Sequence, residues 1–189
     1  MRECFFEVGD GFWVDYLEVS GGLRKFAVER RLDDMKRILF ICLGNICRSC
    51  AAQTVMQHVV DEAGRTEEFY IDSAGIIDYH EGERADSRMR RHASRRGYDI
   101  THLSRPIKVD DFRRFDLIIG MDDSNIEALN RLAPDEACRQ KIHRMTEWST
   151  SYSDRDSVPD PYYGGDQGFE LVLDMLEEAC QGLEKAMRE

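Results

Sequence analysis

The chain has 189 residues, 42% of them apolar and 33% charged, which suffices for one globular domain with a core, or for one domain with an appendage. Its 26 Lys and Arg against 37 Asp and Glu give a net charge of −11 at pH 7, which argues against nucleic acid or an anionic membrane as the main partner. Apolar runs stay shorter than the roughly 18 to 20 residues of a membrane span, and a signal-peptide pattern is missing, so we expect a cytoplasmic protein.

The first 34 residues differ in character from the rest of the chain. Two apolar runs flank Gly9-Asp10-Gly11, which is typical of a hairpin, and a short helical pattern follows around Leu23, Phe26 and Leu32. Two interpretations stay open. Residues 1–34 are a genuine N-terminal extension that packs against the domain or a second chain, or the natural chain begins at Met35 and its start was assigned in error.

From residue 35 onward, strand and helix patterns alternate. Short apolar runs rich in β-branched and aromatic residues predict buried strands at 37–42, 69–75, 115–121 and, more weakly, 141–145. Helical patterns occupy about 50–64, 85–97 and 123–132, and a last helix is predicted at 167–187. This order favours an α/β doubly wound fold, in which helices flank a four-stranded parallel sheet.

A cysteine and an arginine bracket the loop after the first predicted strand. Cys42 ends the strand, and Arg48 lies just before the next predicted helix. A loop that runs into a helix N-terminus points backbone N–H groups at one spot and so favours an oxyanion. Gly44 and Asn45 tolerate the left-handed backbone of a curled loop, and a guanidinium matches two oxygens of a phosphate. The loop therefore predicts a phosphate site.

The same groups act on the Cys42 sulfur. Backbone dipoles, a helix N-terminus and the Arg48 guanidinium all favour thiolate over thiol. Ser49 is placed to donate a hydrogen bond to that sulfur, which makes it a better leaving group later. Cys42, Cys47 and Cys50 lie within nine positions, a clustering typical of chemistry at one loop in a reducing compartment. We predict that Cys42 is a nucleophile at the floor of an anion site.

Residues 42–49, CLGNICRS, resemble the signature loop of the low-molecular-weight protein tyrosine phosphatases. Residues 160–165, DPYYGG, resemble that family's second signature, and the similarity runs from about Met35 to the C-terminus through DSAG (72–75), HLSR (102–105) and MDDSN (121–125). The resemblance implies a three-layer, flavodoxin-like fold of the phosphotyrosine phosphatase I type. It also implies an enzyme without cofactor or metal, whose positive charge comes from Arg48 and oriented amides.

The resemblance implies a role for each matching residue. Cys42 is the nucleophile, Arg48 clamps the phosphate, and Asp160 is the general acid and later the general base. An aspartate before proline is biased toward an extended loop, which suits a carboxyl held over a pocket. Loop support is expected from Asn45, Ser49, Ser73 and His102. The substrate pocket is expected to comprise Leu43, Gly44, Asn45, Ile46, Cys47, Tyr79, Tyr162 and Tyr163. For Tyr163, packing against the sheet is an equally weighted alternative.

The implied reaction is hydrolysis of phosphotyrosine and small aryl phosphates through a phosphocysteine, with phosphate as product. An aromatic slot admits a phenyl phosphate and leaves the shorter phosphoserine above the nucleophile. Phosphotyrosine proteins are the expected partners, and an autophosphorylating tyrosine kinase is one candidate among them.

One departure from the family pattern is Cys50, which stands where proline usually follows the signature serine. Proline preorganises the first helical turn, so we expect a slightly looser helix start and retained activity. Cys47 and Cys50 are the redox candidates, since in this family a cysteine at the Cys47 position forms a disulfide with the nucleophile. Zinc at this C-x-x-C spacing is disfavoured because Arg48 would repel a cation.

Two other functions compete with the phosphatase. Thiol-dependent arsenate reduction needs a further redox cysteine on a mobile segment, and Cys138, after the third strand, is the candidate for it. A non-catalytic phosphotyrosine-binding or redox-sensing module would have no need of both Cys42 and Asp160. The basic run at 88–96 is read as a solvated helix face paired with acidic neighbours, with a docking patch for acidic phosphopeptides as the alternative.

Overall fold

The computed structural model describes residues 35–152, 154–162 and 164–188, together with the backbone of residues 3–7, 13–19 and 22–25. The chain divides into two compact units, Met1–Met35 and Lys36–Glu189.

The described part of the first unit forms three antiparallel strands in the order β1-β2-β3: β1 (Glu3–Glu7), β2 (Trp13–Val19) and β3 (Gly22–Lys25). Leu23, predicted to be helical, lies instead in β3. A helix this short is costly to nucleate, whereas pairing with β2 satisfies the backbone directly. The predicted turn residues Gly9-Asp10-Gly11, and also Phe26 and Leu32, lie outside the described residues.

The second unit is built on a parallel sheet of four strands in the order β5-β4-β6-β7. These are β4 (Lys36–Cys42), β5 (Phe69–Gly75), β6 (Leu117–Gly120) and β7 (Ile142–Arg144). The central strand β4 carries the continuous apolar run of a strand buried on both faces, and Ile38 to Ile41 are fully buried. The predicted parallel sheet is confirmed, although β6 and β7 are shorter than the sequence pattern indicates.

Six helices accompany the sheet: α1 (Arg48–Glu62), α2 (Ser87–Arg95), α3 (Asp111–Arg114), α4 (Asp123–Leu132), α5 (Glu136–Arg139) and α6 (Asp166–Ala186), as far as the described part of the chain shows. The sequence predicted α1, α2, α4 and α6 but not the single-turn helices α3 and α5. Short 3-10 turns occupy Thr66–Glu68 and Met145–Trp148. Among these helices, none combines the length and the apolar character that a membrane span requires.

The sheet separates two apolar clusters, as expected for a three-layer fold. Successive residues of β4 point to opposite faces, so Ile38 and Phe40 pack in the cluster that includes α1 and α6. Leu39 and Ile41 pack in the other cluster, which holds Cys138 of α5. The α/β doubly wound architecture is thereby confirmed.

Helix α2 and its C-cap carry the basic run, and Arg91, His92 and Arg96 contact acidic residues of α6. Arg91 lies 3.3 Å from Asp166, and His92 lies 2.5 Å from Glu170. Arg96 contacts Glu170, Asp174 (2.7 Å) and Glu177 (3.1 Å). The predicted pairing with acidic neighbours is confirmed for these residues, although His92 is buried rather than solvated.

Strand order reverses at β4, because β5 lies on one side of it and β6 on the other. In doubly wound sheets, the carboxyl ends of the strands at such a point border a crevice in which ligands bind. Cys42 is the last residue of β4 and therefore enters this crevice.

Candidate active site

The loop of residues 43–47 joins β4 to α1 and curls around the Cys42 sulfur. Asn45 has φ of 56° and is the one described non-glycine residue with positive φ, a conformation that asparagine tolerates. Cys42 is buried, and its Sγ lies 3.1 Å from Ser49 Oγ. The helix that begins at Arg48 leaves its first N–H groups without intrahelical partners, so they favour an anion at this point.

The buried Asn45 side chain holds the curled loop from beneath. Its Nδ2 donates to Ser49 Oγ and Ser73 Oγ, both at 2.9 Å. Its Oδ1 accepts from His102 Nε2 and from the Arg105 backbone N–H, both at 3.0 Å. These bonds satisfy both donors and both lone pairs of the amide. The structure thus brings the four residues expected to support the loop into one network.

Arg48 is buried beside the sulfur and has two carboxylate partners. Its Nη1 donates to Asp122 Oδ2 at 2.5 Å and to the Val158 carbonyl at 3.1 Å. Its Nη2 donates to Asp160 Oδ2 at 3.0 Å. Burial by itself lowers the pKa of Arg48, but the negative charges of Cys42, Asp122 and Asp160 outweigh it and raise that pKa. The guanidinium therefore stays charged.

Asp122 orients Arg48 and also caps α4. Its Oδ1 accepts from the Asn125 backbone N–H at 2.9 Å and from Ser124 Oγ at 2.6 Å. Burial raises its pKa, yet the hydrogen bonds from Ser124, Arg48 and Asn125 outweigh burial and lower it. No role was predicted for Asp122 from the sequence. Its signal lay in MDDSN, where an aspartate precedes a helix in the N-cap position.

Above Cys42 lies a cavity of about 230 Å³. It is lined by Cys42, Leu43, Gly44, Ile46, Cys47, Arg48, Ile77, Tyr79, His80, Asp160 and Tyr162. Two expected pocket residues are missing from this set. Asn45 points beneath the loop instead, because its amide completes the supporting network. Tyr163 lies outside the described residues.

The wall residues Ile77 and Tyr79 are placed by backbone pairing between two loops. The Ile76 N–H donates to the Cys42 carbonyl, and the Ile77 N–H to the Leu43 carbonyl, both at 3.0 Å. This pairing carries residues 76–80 alongside the phosphate loop. The cavity therefore has a charged floor and a wall with exposed apolar surface from Leu43, Ile77 and Tyr79, which suits a phosphate attached to a flat apolar group.

Comparison with known proteins agrees with this geometry. The model of the family described as low molecular weight phosphotyrosine protein phosphatase matches residues 37–189. A low molecular weight protein-tyrosine-phosphatase of Streptomyces coelicolor is 41% identical over 154 residues, which cover 81% of this chain and 94% of that protein. The low molecular weight phosphotyrosine protein phosphatase of Homo sapiens is 38% identical over 155 residues, covering 80% and 96% respectively.

The chain belongs to the low molecular weight phosphotyrosine protein phosphatase family. The resemblance carried by CLGNICRS and DPYYGG is confirmed, and so is the enzyme class, a hydrolase among the protein tyrosine phosphatases.

Solved structures share the fold of this phosphatase. A protein tyrosine phosphatase from Entamoeba histolytica, with Hepes in its active site, is 46% identical with a TM-score of 0.78, over 81% of this chain and 97% of that one. A structure titled drosophila arginine phosphatase is 30% identical with a TM-score of 0.71, over 82% and 99%. The same fold thus carries members whose titles name different phosphorylated amino acids.

His80 closes one side of the cavity of the phosphatase and was not singled out from the sequence. Its Nδ1 lies 2.7 Å from Glu83 Oε2. Its ring covers Gly44 so closely that a Cβ there would lie 3.0 Å from His80 Cδ2. A side chain at position 44 would therefore push against the ring, so close packing against His80 explains why a glycine occupies this position. The signal for His80 was its place beside Tyr79.

Cys47, at the end of the loop, and Cys50, in the first turn of α1, are both buried. Burial raises the pKa of each thiol, and nearby negative charge raises it further. Cys50 Sγ donates to the Cys47 carbonyl at 3.3 Å within the first turn of α1, which begins at Arg48 without the usual proline. Their redox role stays a prediction. Among the described residues, no group of three His, Cys, Asp or Glu side chains could hold a metal ion.

The partly buried imidazole of His102 makes the loop network sensitive to pH. Burial lowers the pKa of His102 below its ordinary value of 6.5. The unfolded chain therefore binds more protons than the folded one between the folded pKa and 6.5, so stability falls as the pH falls through that window. In His102→Gln, the side-chain amide can still donate to Asn45, but it does not titrate. We therefore expect a smaller fall in the free energy of unfolding between pH 7.5 and lower pH, as measured by urea unfolding. His58→Gln, at an exposed histidine of α1, should keep the acid loss, and an unchanged profile in His102→Gln would refute the assignment.

Proposed function

We propose that this phosphatase hydrolyses phosphotyrosine in proteins, and small aryl phosphates, through a phosphocysteine on Cys42. The observation that carries the proposal is the cavity itself, in which the Cys42 sulfur, the Arg48 guanidinium and the Asp160 carboxyl share one space beside an apolar wall. A charged floor and a flat apolar wall match the two parts of a phenyl phosphate.

In the first step, Cys42 Sγ attacks phosphorus, and an S–P bond forms as the bond between phosphorus and the phenolic oxygen breaks. Arg48 and the loop N–H groups hold the equatorial oxygens, on which negative charge is spread. Asp160 gives its proton to the departing oxygen, so that neutral tyrosine leaves. The bound phosphate accepts the hydrogen bond that Arg48 Nη2 otherwise donates to Asp160 Oδ2 at 3.0 Å.

In the second step, water attacks the phosphocysteine while Asp160, now a carboxylate, accepts its proton. The S–P bond breaks, the electron pair returns to Cys42 Sγ, and inorganic phosphate is released. Ser49 Oγ, 3.1 Å from the sulfur, donates to the thiolate as it leaves.

The chemistry of the wall favours an aryl group over a guanidinium. Leu43, Ile46 and Ile77 present side chains without hydrogen-bonding groups to the cavity. A phosphorylated arginine would bury polar N–H groups against them, and unsatisfied donors are costly. We therefore place this chain with the tyrosine-directed members of the family.

Arsenate reduction is disfavoured by the position of Cys138. It is buried in the apolar cluster of α5, and its Sγ donates to the Phe112 carbonyl at 3.7 Å. Cys42 packs in the cluster that includes α1 and α6. Cys138 would have to leave its core to reach Cys42, which the reductase chemistry requires of a mobile thiol.

We further propose that residues 35–189 are the phosphatase domain and residues 1–34 an N-terminal extension, supported by a family match that begins at residue 37. We infer a cytoplasmic location from the acidic charge and the free, clustered cysteines. An autophosphorylating tyrosine kinase is the candidate partner, because such a kinase carries the phosphate ester that this cavity fits.

The proposal is tested by hydrolysis of phenyl phosphate and a phosphotyrosine peptide, with a chelator present. In Asp160→Asn, we expect kcat/KM on phenyl phosphate to fall by about 10² to 10⁴, because the leaving oxygen departs without a proton. Asp154→Asn, at an exposed aspartate of the same loop, is the matched control and should retain wild-type rates. The proposal would be contradicted if Asp160→Asn hydrolysed phenyl phosphate as fast as the wild type does. It would also be contradicted if the wild type hydrolysed phosphoarginine faster than phosphotyrosine.

A further inference from the structure

Arg88, near the start of α2, contacts the loop that carries Asp160. Its Nη1 donates to the Tyr162 carbonyl at 3.0 Å. Its guanidinium also lies over the Tyr162 ring, 5.2 Å from the centroid, and over the Phe169 ring at 5.0 Å. A guanidinium over aromatic faces and bonded to a carbonyl restrains both the backbone and the side chain of Tyr162.

Asp86 ties Arg88 to the phosphate loop on its other side. The Asp86 backbone N–H donates to the Ile46 carbonyl at 2.8 Å. Its carboxylate receives Arg88 through both oxygens, from Nε at 3.1 Å and from Nη2 at 2.8 Å. It also accepts the Arg88 backbone N–H at 2.8 Å, which caps α2. Such a forked pair fixes orientation as well as distance.

The two contacts form a continuous connection across the cavity mouth, from Ile46 through Asp86 and Arg88 to Tyr162. The last link is internal to the acid loop, because the Tyr162 N–H donates to Asp160 Oδ1 at 3.0 Å. Among the described residues, the Asp160 carboxylate also bonds to Arg48, and a bound phosphate competes for that contact. During the reaction, the Asp160 carboxylate therefore keeps its bond from Tyr162, which orients it.

We propose that Asp86 and Arg88 form a strut between the phosphate loop and the acid loop, and that Arg88 is a positioning residue which keeps Asp160 in reach of the leaving oxygen. The inference rests on the proposed function, since it concerns how the acid of that reaction is held. Arg88 acts through Tyr162 and Asp160 and takes no part in bond making.

Breaking the strut should slow the two kinds of substrate unequally, whereas general destabilisation of the fold should slow them equally. Loss of acid positioning slows substrates with a basic leaving group and spares those whose leaving group departs without a proton. In Arg88→Gln, we expect kcat/KM on phenyl phosphate to fall about tenfold to a hundredfold. On 4-nitrophenyl phosphate, we expect a fall of less than about threefold, and inhibition by inorganic phosphate should stay near the wild-type value, because Arg48 and the loop are untouched. Asp86→Asn, which keeps the cap and the bond to Ile46, should show the same selectivity more weakly.

The matched control is Arg91→Gln, which removes an exposed arginine of the same helix, paired with Asp166. It should leave both substrates at wild-type rates. If Arg88→Gln does not fold, Arg88→Lys replaces it, because lysine keeps the charge over the rings but loses the fork.

Equal losses on the two substrates, or no loss on either, would overturn the strut while leaving the proposed function intact. Failure of the proposed function shows separately, as a wild-type enzyme with no aryl phosphatase activity or as activity that survives Cys42→Ser.

Discussion

Cys42→Ser is expected to lose at least about a thousandfold in kcat/KM on aryl phosphates, the largest loss of any single substitution in this phosphatase. A serine hydroxyl keeps the hydrogen bond to Ser49 but is a far weaker nucleophile, because it stays protonated at neutral pH. The loop and Arg48 remain, so the variant should still bind inorganic phosphate. Steady-state hydrolysis of phenyl phosphate and phosphate binding by calorimetry check both parts.

Cys138→Ala is the control for this substitution, because it removes a buried thiol of the other apolar cluster and should retain activity. Alkylation gives an independent readout. Burial raises the pKa of Cys47, Cys50 and Cys180, which disfavours their reactive thiolates. Iodoacetate should therefore inactivate the enzyme by labelling Cys42, and inorganic phosphate should protect it. Inactivation by label on Cys180 alone would refute this assignment.

Arg48→Lys is expected to lower kcat/KM by about a thousandfold, although the charge is conserved. The guanidinium forks between Asp122, the Val158 carbonyl and Asp160, and it offers its remaining donors to the phosphate. An ammonium is a single point donor and cannot hold Asp122 and two phosphate oxygens together. Inhibition by inorganic phosphate should weaken in parallel, which steady-state competition measures.

Arg131→Lys serves as the control, since Arg131 is exposed on α4 and pairs with Glu127 on the surface. Its activity should match that of the wild type. A loss within tenfold in Arg48→Lys would show that charge alone suffices at this position and that the forked geometry contributes little.

The main elements of the phosphatase domain could be predicted because each pattern is local. The apolar run of β4 is buried on both faces, and the spacing in α6 follows one apolar stripe, so neither depends on distant partners. The single-turn helices α3 and α5 were missed, because a helix of four residues is too short to show a hydrophobic periodicity. Leu23 was misassigned for a related reason, since its extended state depends on pairing with β2.

The functional site likewise contains some residues that could be predicted from the sequence and others that could not. Cys42, Gly44, Asn45 and Arg48 belong to one loop, whose residue types already indicate an anion. By contrast, Asp122 is 74 positions from Arg48 along the chain, and no local sequence pattern around either residue predicts their bond.

Contiguous residues and hydrophobic periodicity were enough to predict the fold class, the phosphate loop and the family of this protein. The three-dimensional structure was needed to establish which charged side chains meet. It placed Asp122 and Asp160 on Arg48, set Asn45 beneath the loop rather than in the cavity, and joined Asp86 and Arg88 to Tyr162. The physical reason is that hydrogen bonds and ion pairs depend on distances of about 3 Å between groups. Chain packing fixes those distances between residues that are far apart in sequence.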